Sequence, residues 1–365
     1  MESGSGQTIA NERANACLRD GSTTLDLSRL GLAAVPEALV DLTHLTALNL
    51  GHNQLVDVPS WLGNLTKLTE LHLDFNRLAA VPEGLRNLVN LTVLNLQANQ
   101  LVTVPEWLGG LTWLHLGHNE LVDLPESPGD LTGLTSLYLS HNRLAAVPEW
   151  LGNLSNLKLL GLQANQLVAV PGFLGNLTAL TGLYLRNNEL IDLPEALGNL
   201  TALTALDLRG NRLVAMPEWL GNLTELDWLD LRENRLVALP ESLGNLTKLY
   251  RLHLDHNRLT RLPESLGNLT ELNRLDLSHN ELAALPESLG TLTQLRRLDL
   301  DHNGLTALPE SLGNLTALDW LHLDHNRLTA LPDSLGSLID TALTVGYNRF
   351  VALPESLGHL SVLDR

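Results

Sequence analysis

Leucine marks this chain at two alternating rhythms. In the stretch from Leu246 to Leu269, Leu249, Leu252, Leu254 and Leu259 fall in the pattern L-x-x-L-x-L with a further Leu five residues on. Arg251, His253 and Asp255 interleave with the leucines, which is the period of a strand with one buried face. The following residues read Leu262-Pro263-Glu264-Ser265-Leu266-Gly267-Asn268-Leu269. Proline opening a turn with an acid beside it predicts a short helical or 3₁₀ segment, and Gly267 would let the chain leave it. A strand this short must pair with its copy in the next unit, in parallel.

The unit repeats along almost the whole chain. Asn257, placed where the chain turns after the strand, has counterparts at every unit from Asn53 to Asn348, spaced by 23 residues except at Asn99 to Asn119 (20) and Asn326 to Asn348 (22). A short amide side chain at such a turn can bond the backbone groups left unpaired, coil upon coil. A fixed period of this size predicts a solenoid, each coil burying its apolar face against its neighbours. With a degenerate first copy at Leu25-Asp26-Leu27 there are fifteen coils, roughly 70 Å of stack at ~4.8 Å per strand. The fold class predicted is an α/β solenoid with a parallel sheet on one face and short helical or 3₁₀ segments on the other.

The motif L-x-x-L-x-L-x-x-N-x-L-x-x-L-P-x-x-[LIV]-x-x-L is met by Leu272, Leu275, Leu277, Asn280, Leu282, Leu285, Pro286, Leu289 and Leu292. It resembles the 23-residue leucine-rich repeat of cytosolic Ras-group proteins, both plant intracellular proteins and Ras-pathway scaffolds, and of bacterial Roco-type arrays. The resemblance covers residues 23–365. It implies a horseshoe with a concave sheet, a non-catalytic scaffold that binds a protein partner there, and a Ras-like small GTPase as one such partner. It carries over no catalytic residue and no cofactor.

Composition narrows this further. The net charge is −18, and the residue after the repeat proline is acidic in 13 of 15 coils, Ser60 and Gly172 being the exceptions. A stripe of acid on the convex side argues against nucleic acid as partner. Cys17 is the single cysteine, whereas extracellular members of the resembled class close their ends with paired cysteines. No signal pattern opens the chain and no 18 apolar residues run together. The expectation is a cytoplasmic protein without membrane insertion, in which the Asn-x-Ser/Thr triplets beginning at Asn64, Asn153 or Asn268 belong to the repeat rather than to glycans.

Residues 1–22 read as an extension and capping helix, with Ala10, Ala14, Cys17 and Leu18 at helical spacing and Gly21 as its stop. Residues 23–365 form the array. An irregular joint is expected over residues 108–131, where three residues are lost and Pro128 stands at a core leucine position. The end, Leu363-Asp364-Arg365, falls within a convex segment without a polar cap, so self-association through that end is a second reading of the chain's role.

One face of the sheet should stay open, and its outward positions carry the candidate site. Aromatic and arginine residues dominate binding hot spots, and here they are Phe75, Trp113, Tyr138, Tyr184, Trp228, Tyr250 and Trp320, with Tyr347 beyond. Arg186, Arg209 and Arg232 occupy one column that Asp255, Asp301 and Asp324 continue, a basic block followed by an acidic one that can fix a partner's register. Eleven of 13 histidines lie on the same face, His253 and His322 among them. A metal surface would need three or four ligands converging on a point, while a ladder spreads them in rows. Arg251, Arg274 and Arg297 beside the Asp rows predict a self-neutralising lattice instead. Catalysis by Cys17, placed in the cap, has the wrong context.

Overall fold

A computed structural model describes residues 3–339 and 341–350, and the backbone of 361–363. Two compact units are distinguished, residues 1–167 and 168–365. In the first, a helix, Ser3–Asp20, precedes seven strands of three residues each: Thr24–Asp26, Ala47–Asn49, Glu70–His72, Val93–Asn95, Trp113–His115, Ser136–Tyr138 and Leu159–Gly161. Each pairs in parallel with the next, leucine opposite leucine, as in Leu48↔Leu71. In the second unit the strands are Gly182–Tyr184, Ala205–Asp207, Trp228–Asp230, Arg251–His253, Arg274–Asp276, Arg297–Asp299, Trp320–His322, Ala342–Thr344 and Ser361–Leu363, again parallel and in sequence order.

The core is the stack of repeat leucines. Leu249, Leu252, Leu254, Leu259, Leu266 and Leu269 are wholly buried, as are their equivalents in neighbouring coils. A side chain truncated here would cost about 2–5 kcal/mol. The flanking strand residues are only half-buried, so one sheet face is left without a covering layer.

The ladder asparagines close the turns as the pattern requires. Asn257 Nδ2 donates to the carbonyls of Leu231 (2.9 Å) and Leu254 (3.0 Å), and its Oδ1 accepts from Leu236 N (3.0 Å). One side chain thus satisfies buried backbone groups of its own coil and of the one before. In the first coil, where Leu30 replaces the ladder residue, Asn53 Oδ1 accepts from both Leu30 N and Leu32 N.

The return segments are 3₁₀ turns such as Glu264–Asn268, but two details differ from the sequence expectation. Pro263 precedes the turn in extended conformation (φ −71°, ψ 146°) rather than opening it. Gly267 is required by packing, not by backbone freedom: a Cβ there would stand 2.5 Å from Ser288 O and 2.8 Å from Ser288 Cβ of the next coil. The acid after proline reaches forward too, since Glu241 Oε2 accepts from Ser265 N at 3.2 Å, capping the neighbouring coil's turn.

Between Val93–Asn95 and Ser136–Tyr138 the return side has no 3₁₀ turn, yet strand register continues through Val93↔Trp113 and Trp113↔Ser136. The irregularity of residues 108–131 is therefore confined to the return side, where a cavity of about 270 Å³ opens among Leu88, Leu91, Trp107 and Leu111.

In the N-terminal helix Ala10, Ala14 and Cys17 are buried, while Leu18 is exposed and takes no part in the cap. Gly21 follows at φ 71° and donates to Cys17 O. At the other end the strand Ser361–Leu363 was hidden from the pattern, because it starts only three positions after Gly358, against seven from Gly267 to Arg274. The expected convex, uncapped end falls there and on residues outside those described. No helix among the described residues is long and apolar enough to cross a membrane.

Candidate functional site

Each strand turns its first and third positions to the open face, glycine at Gly161 and Gly182 included, and the turn after it adds two more positions. The last of these, just before the ladder asparagine, has a conformation the pattern did not suggest. His52, Phe75, Ala98, His118, His141, His256, His279, His302, His325 and Tyr347 all sit at φ between 51° and 56°. This left-handed region favours Gly, Asn, Asp and His, and Gly210 and Asn187 stand in the same column. That mix of residue types was the available signal.

The geometry turns the column outward and stacks its rings. His256, His279, His302, His325 and Tyr347 form a run with ring centroids 4.1–4.2 Å apart and planes within 12° of parallel. His52–Phe75 and His118–His141 are shorter stacks in the first unit. Loss of hydration, then the charge of neighbouring imidazoles, lowers the pKa of His279 and His302. The run is therefore an aromatic rail in which burial biases two middle imidazoles, His279 and His302, towards the uncharged form. Among the described residues no three His, Cys, Asp or Glu side chains are grouped to hold a metal ion.

The candidate residues fall into one cluster per unit. In the first, Trp113, His115 and Tyr138 pack edge to face at 5.0–5.8 Å. Burial pushes the His115 imidazole down to about 4, so it acts as a neutral ring there. Phe75 stands apart in this unit, exposed over His52.

In the second unit charge is organised by depth. Tyr184 lies beside Asp207 in register. The expected basic block is largely neutralised: Arg209 pairs with Glu233, and Arg232 bonds Asp230 through Nε at 2.9 Å and approaches Asp255 at 3.9 Å. Burial would raise Asp230, but His253 and Arg232 hold it down at about 2. His253 Nδ1 stands 3.8 Å away, an ion-pair distance too long for a hydrogen bond, so Arg232 makes the bonds. Asp207, Asp255 and Asp301 have less help, and burial lifts each to about 6. Asp301 accepts from Asp324 N, and Asp324 from Gly346 N, so these two also brace the backbone. His322 Nε2 faces Asp299 at 3.5 Å. Arg186 belongs to the same column, while Trp228 and Trp320 open their strands and Tyr250 precedes its own, with Tyr250 and Trp320 exposed.

Cys17, by contrast, donates its thiol to Ser22 O at 3.0 Å, and burial followed by the Asp20 charge raises its pKa. It is a structural thiol.

Comparisons with known proteins agree with this architecture. Family profiles described as "Leucine rich repeat" match residues 23–78, 66–121, 109–167 and 294–315, and one described as "Leucine-rich repeat region" matches residues 187–301. Comparison with curated proteins gives no match. Among solved structures the chain is similar to a leucine-rich repeat protein of Leptospira interrogans, with 30% identity and a TM-score of 0.82 over 96% of this chain and 98% of that one. It is also similar to YopM, a leucine-rich effector protein of Yersinia pestis (26% identity, TM-score 0.72, 98% and 92% covered). A third is the plant peptide hormone receptor RGFR1, solved in complex with RGF2 (29% identity, TM-score 0.67), of which the chain spans 66%. Repeat, register and relatives converge, and the chain belongs to the leucine-rich repeat proteins.

Proposed function

We propose that this chain is a non-catalytic scaffold that binds a protein partner on the open face of its parallel sheet. Proteins of this family mediate protein–protein interaction, and such folds are typically non-enzymatic. The observation that carries the reading here is the placement of aromatic and arginine side chains, each raised by its own short strand on the face that no second layer covers. Ordered backbone under exposed aromatics lowers the entropy lost on binding, which is what makes such residues hot spots.

The motif's resemblance to Ras-group repeats puts a Ras-like GTPase first among signalling partners, and the unpaired Cys17 favours work in the cytoplasm. The peptide hormone receptor RGFR1, solved in complex with RGF2, offers a precedent for a peptide ligand of a structurally similar protein. The test is affinity capture from cytosol with the native chain and with two variants, Trp113→Ala/Tyr138→Ala and Trp228→Ala/Trp320→Ala, alongside a return-side control, Glu264→Ala. A partner retained by the control and lost from a face variant supports the reading. A partner indifferent to every face substitution refutes it, and binding of purified, nucleotide-loaded GTPases tests the narrower part.

A further inference from the structure

One row of the open face differs from all others. In register across five consecutive strands stand Trp228, Arg251, Arg274, Arg297 and Trp320, a tryptophan at each end of three arginines. Beneath the row lie Asp276 and Asp299. Arg274 Nη2 reaches Asp276 at 3.3 Å and Asp299 at 3.7 Å, and Arg297 Nε reaches Asp299 at 2.8 Å. The carboxylates are deep, with side chains 15% and 6% exposed, while the two arginine side chains are 41% and 40% exposed. Arg251 lies over the Tyr250 ring at 5.8 Å and, among the described residues, has no carboxylate partner. Three guanidinium groups therefore stand outermost over two deeper carboxylates, a pre-oriented cationic row on a chain of net charge −18. Beside it, Asp227, Trp228, Tyr250 and Arg251 border a hollow of about 280 Å³.

We infer that this row binds an extended acidic peptide segment of a protein partner, with two carboxylate side chains at alternate positions flanked by an apolar residue on each side. The inference rests on the proposed function and names the partner's chemistry. Four strand spacings of ~4.8 Å separate the tryptophans by about 19 Å, and the six rises of ~3.3 Å in a seven-residue extended segment cover about 20 Å. Side chains one, three, five and seven of such a segment face the row. The first and last meet Trp228 and Trp320; the third and fifth, about 6.6 Å apart by the same rise, bridge the three guanidinia. Asp276 and Asp299 hold Arg274 and Arg297 from below while leaving N–H groups for the ligand. Arginine's planar fork suits carboxylates. The rings at either end favour a peptide over a bare polyanion.

The experiment selects peptides from a random twelve-residue display library on the full chain. The best, labelled with fluorescein, are then titrated by anisotropy against wild type, Arg251→Ala, Arg297→Ala and Trp228→Ala/Trp320→Ala, each checked for native circular dichroism. Enrichment of alternate acids between apolar residues is expected, with affinity at least about tenfold lower in every row variant and falling as salt rises. Peptides that lack the acid pair, or that respond to Arg209→Ala or Trp113→Ala but not to the row, overturn this inference and leave the sheet-face reading intact. Peptides insensitive to all these substitutions count against both. If no peptide is enriched, or if a labelled ten-residue oligothymidine binds the row as tightly as the selected peptides, the inference falls, while the protein-partner reading stands or falls by its own capture test.

Discussion

The ladder asparagines invite the sharpest test, and Asn280 is the position to change. Its Nδ2 donates to Leu254 O and Leu277 O, both at 3.0 Å, and its Oδ1 accepts from Leu259 N at 2.9 Å. Asn280→Ala leaves one buried N–H and two buried carbonyls without these partners. An orphaned buried group costs ~1–3 kcal/mol. Taking about 2 kcal/mol for the donor and about 1 for each carbonyl, which keeps a second lone pair to share with entering water, the loss is about 4 kcal/mol. That equals the truncation of a core leucine although no apolar volume is removed. Asn280→Asp should do as badly, because carboxylate oxygens would face Leu254 O and Leu277 O. The assay is residue-resolved hydrogen exchange, since a repeat array need not unfold in one step. The Leu259 amide, in the preceding coil, should lose protection together with the coil of Asn280, while coils near Asn326 keep theirs. A Leu259 amide that exchanges at the wild-type rate, with stability within about 1 kcal/mol of wild type, would show that water replaces the amide at no cost and that the ladder is ornamental.

Other outcomes follow from the same geometry. Leu275→Ala should cost about 2–5 kcal/mol in urea denaturation, and an unchanged midpoint would mean the repeat phase is misassigned. Gly267→Ala should destabilise through collision with Ser288 and separate adjacent return turns; unaltered stability would show that the close approach relaxes freely. Amides on the return side of residues 105–131 should exchange faster than those of the 3₁₀ turns Glu83–Asn87 and Glu149–Asn153, while the strand Trp113–His115 exchanges slowly; uniform protection would remove the irregularity from consideration. Asp255 and Asp301 have carboxyls raised to about 6 against an ordinary 3.8, so the native state binds the extra protons and stability falls as pH climbs from about 4 through 6. Asp301→Asn should therefore be more stable than wild type at pH 7 and equal to it near pH 4, and a gain that persists at pH 4 would assign it to something other than ionisation.

Much of the fold was legible because each coil obeys local rules fourteen times over. Leucine spacing sets the strand phase, and the asparagine column sets the turn. What the pattern could not supply were effects that depend on the neighbouring coil. Gly267 looked like a flexible exit but is a contact surface for Ser288, since the demand comes from a residue 21 positions away. The terminal strand Ser361–Leu363 escaped because its spacing departs from the period. For the site, residue types showed which face carries the aromatics. They did not show that Arg209 and Arg232 are spent on Glu233 and Asp230, nor that the pre-asparagine residue is left-handed and stacks its ring on the next. Charge pairing and ring stacking are settled by register at single-ångström scale, which no count of residue types contains.

The coil that loses three residues between Asn99 and Asn119 reveals how the unit divides its labour. Its strand keeps register on both sides, and Asn119 still bonds Leu96 O and Leu101 N, while the deletion is absorbed by a return segment without its 3₁₀ turn. The two halves of the repeat thus differ in their tolerance of length. Insertions and deletions can accumulate behind the sheet while its face stays a lattice of constant pitch. A chain built this way can gain or lose a whole unit by recombination and lengthen or shorten its binding surface by one row, leaving every remaining contact in step.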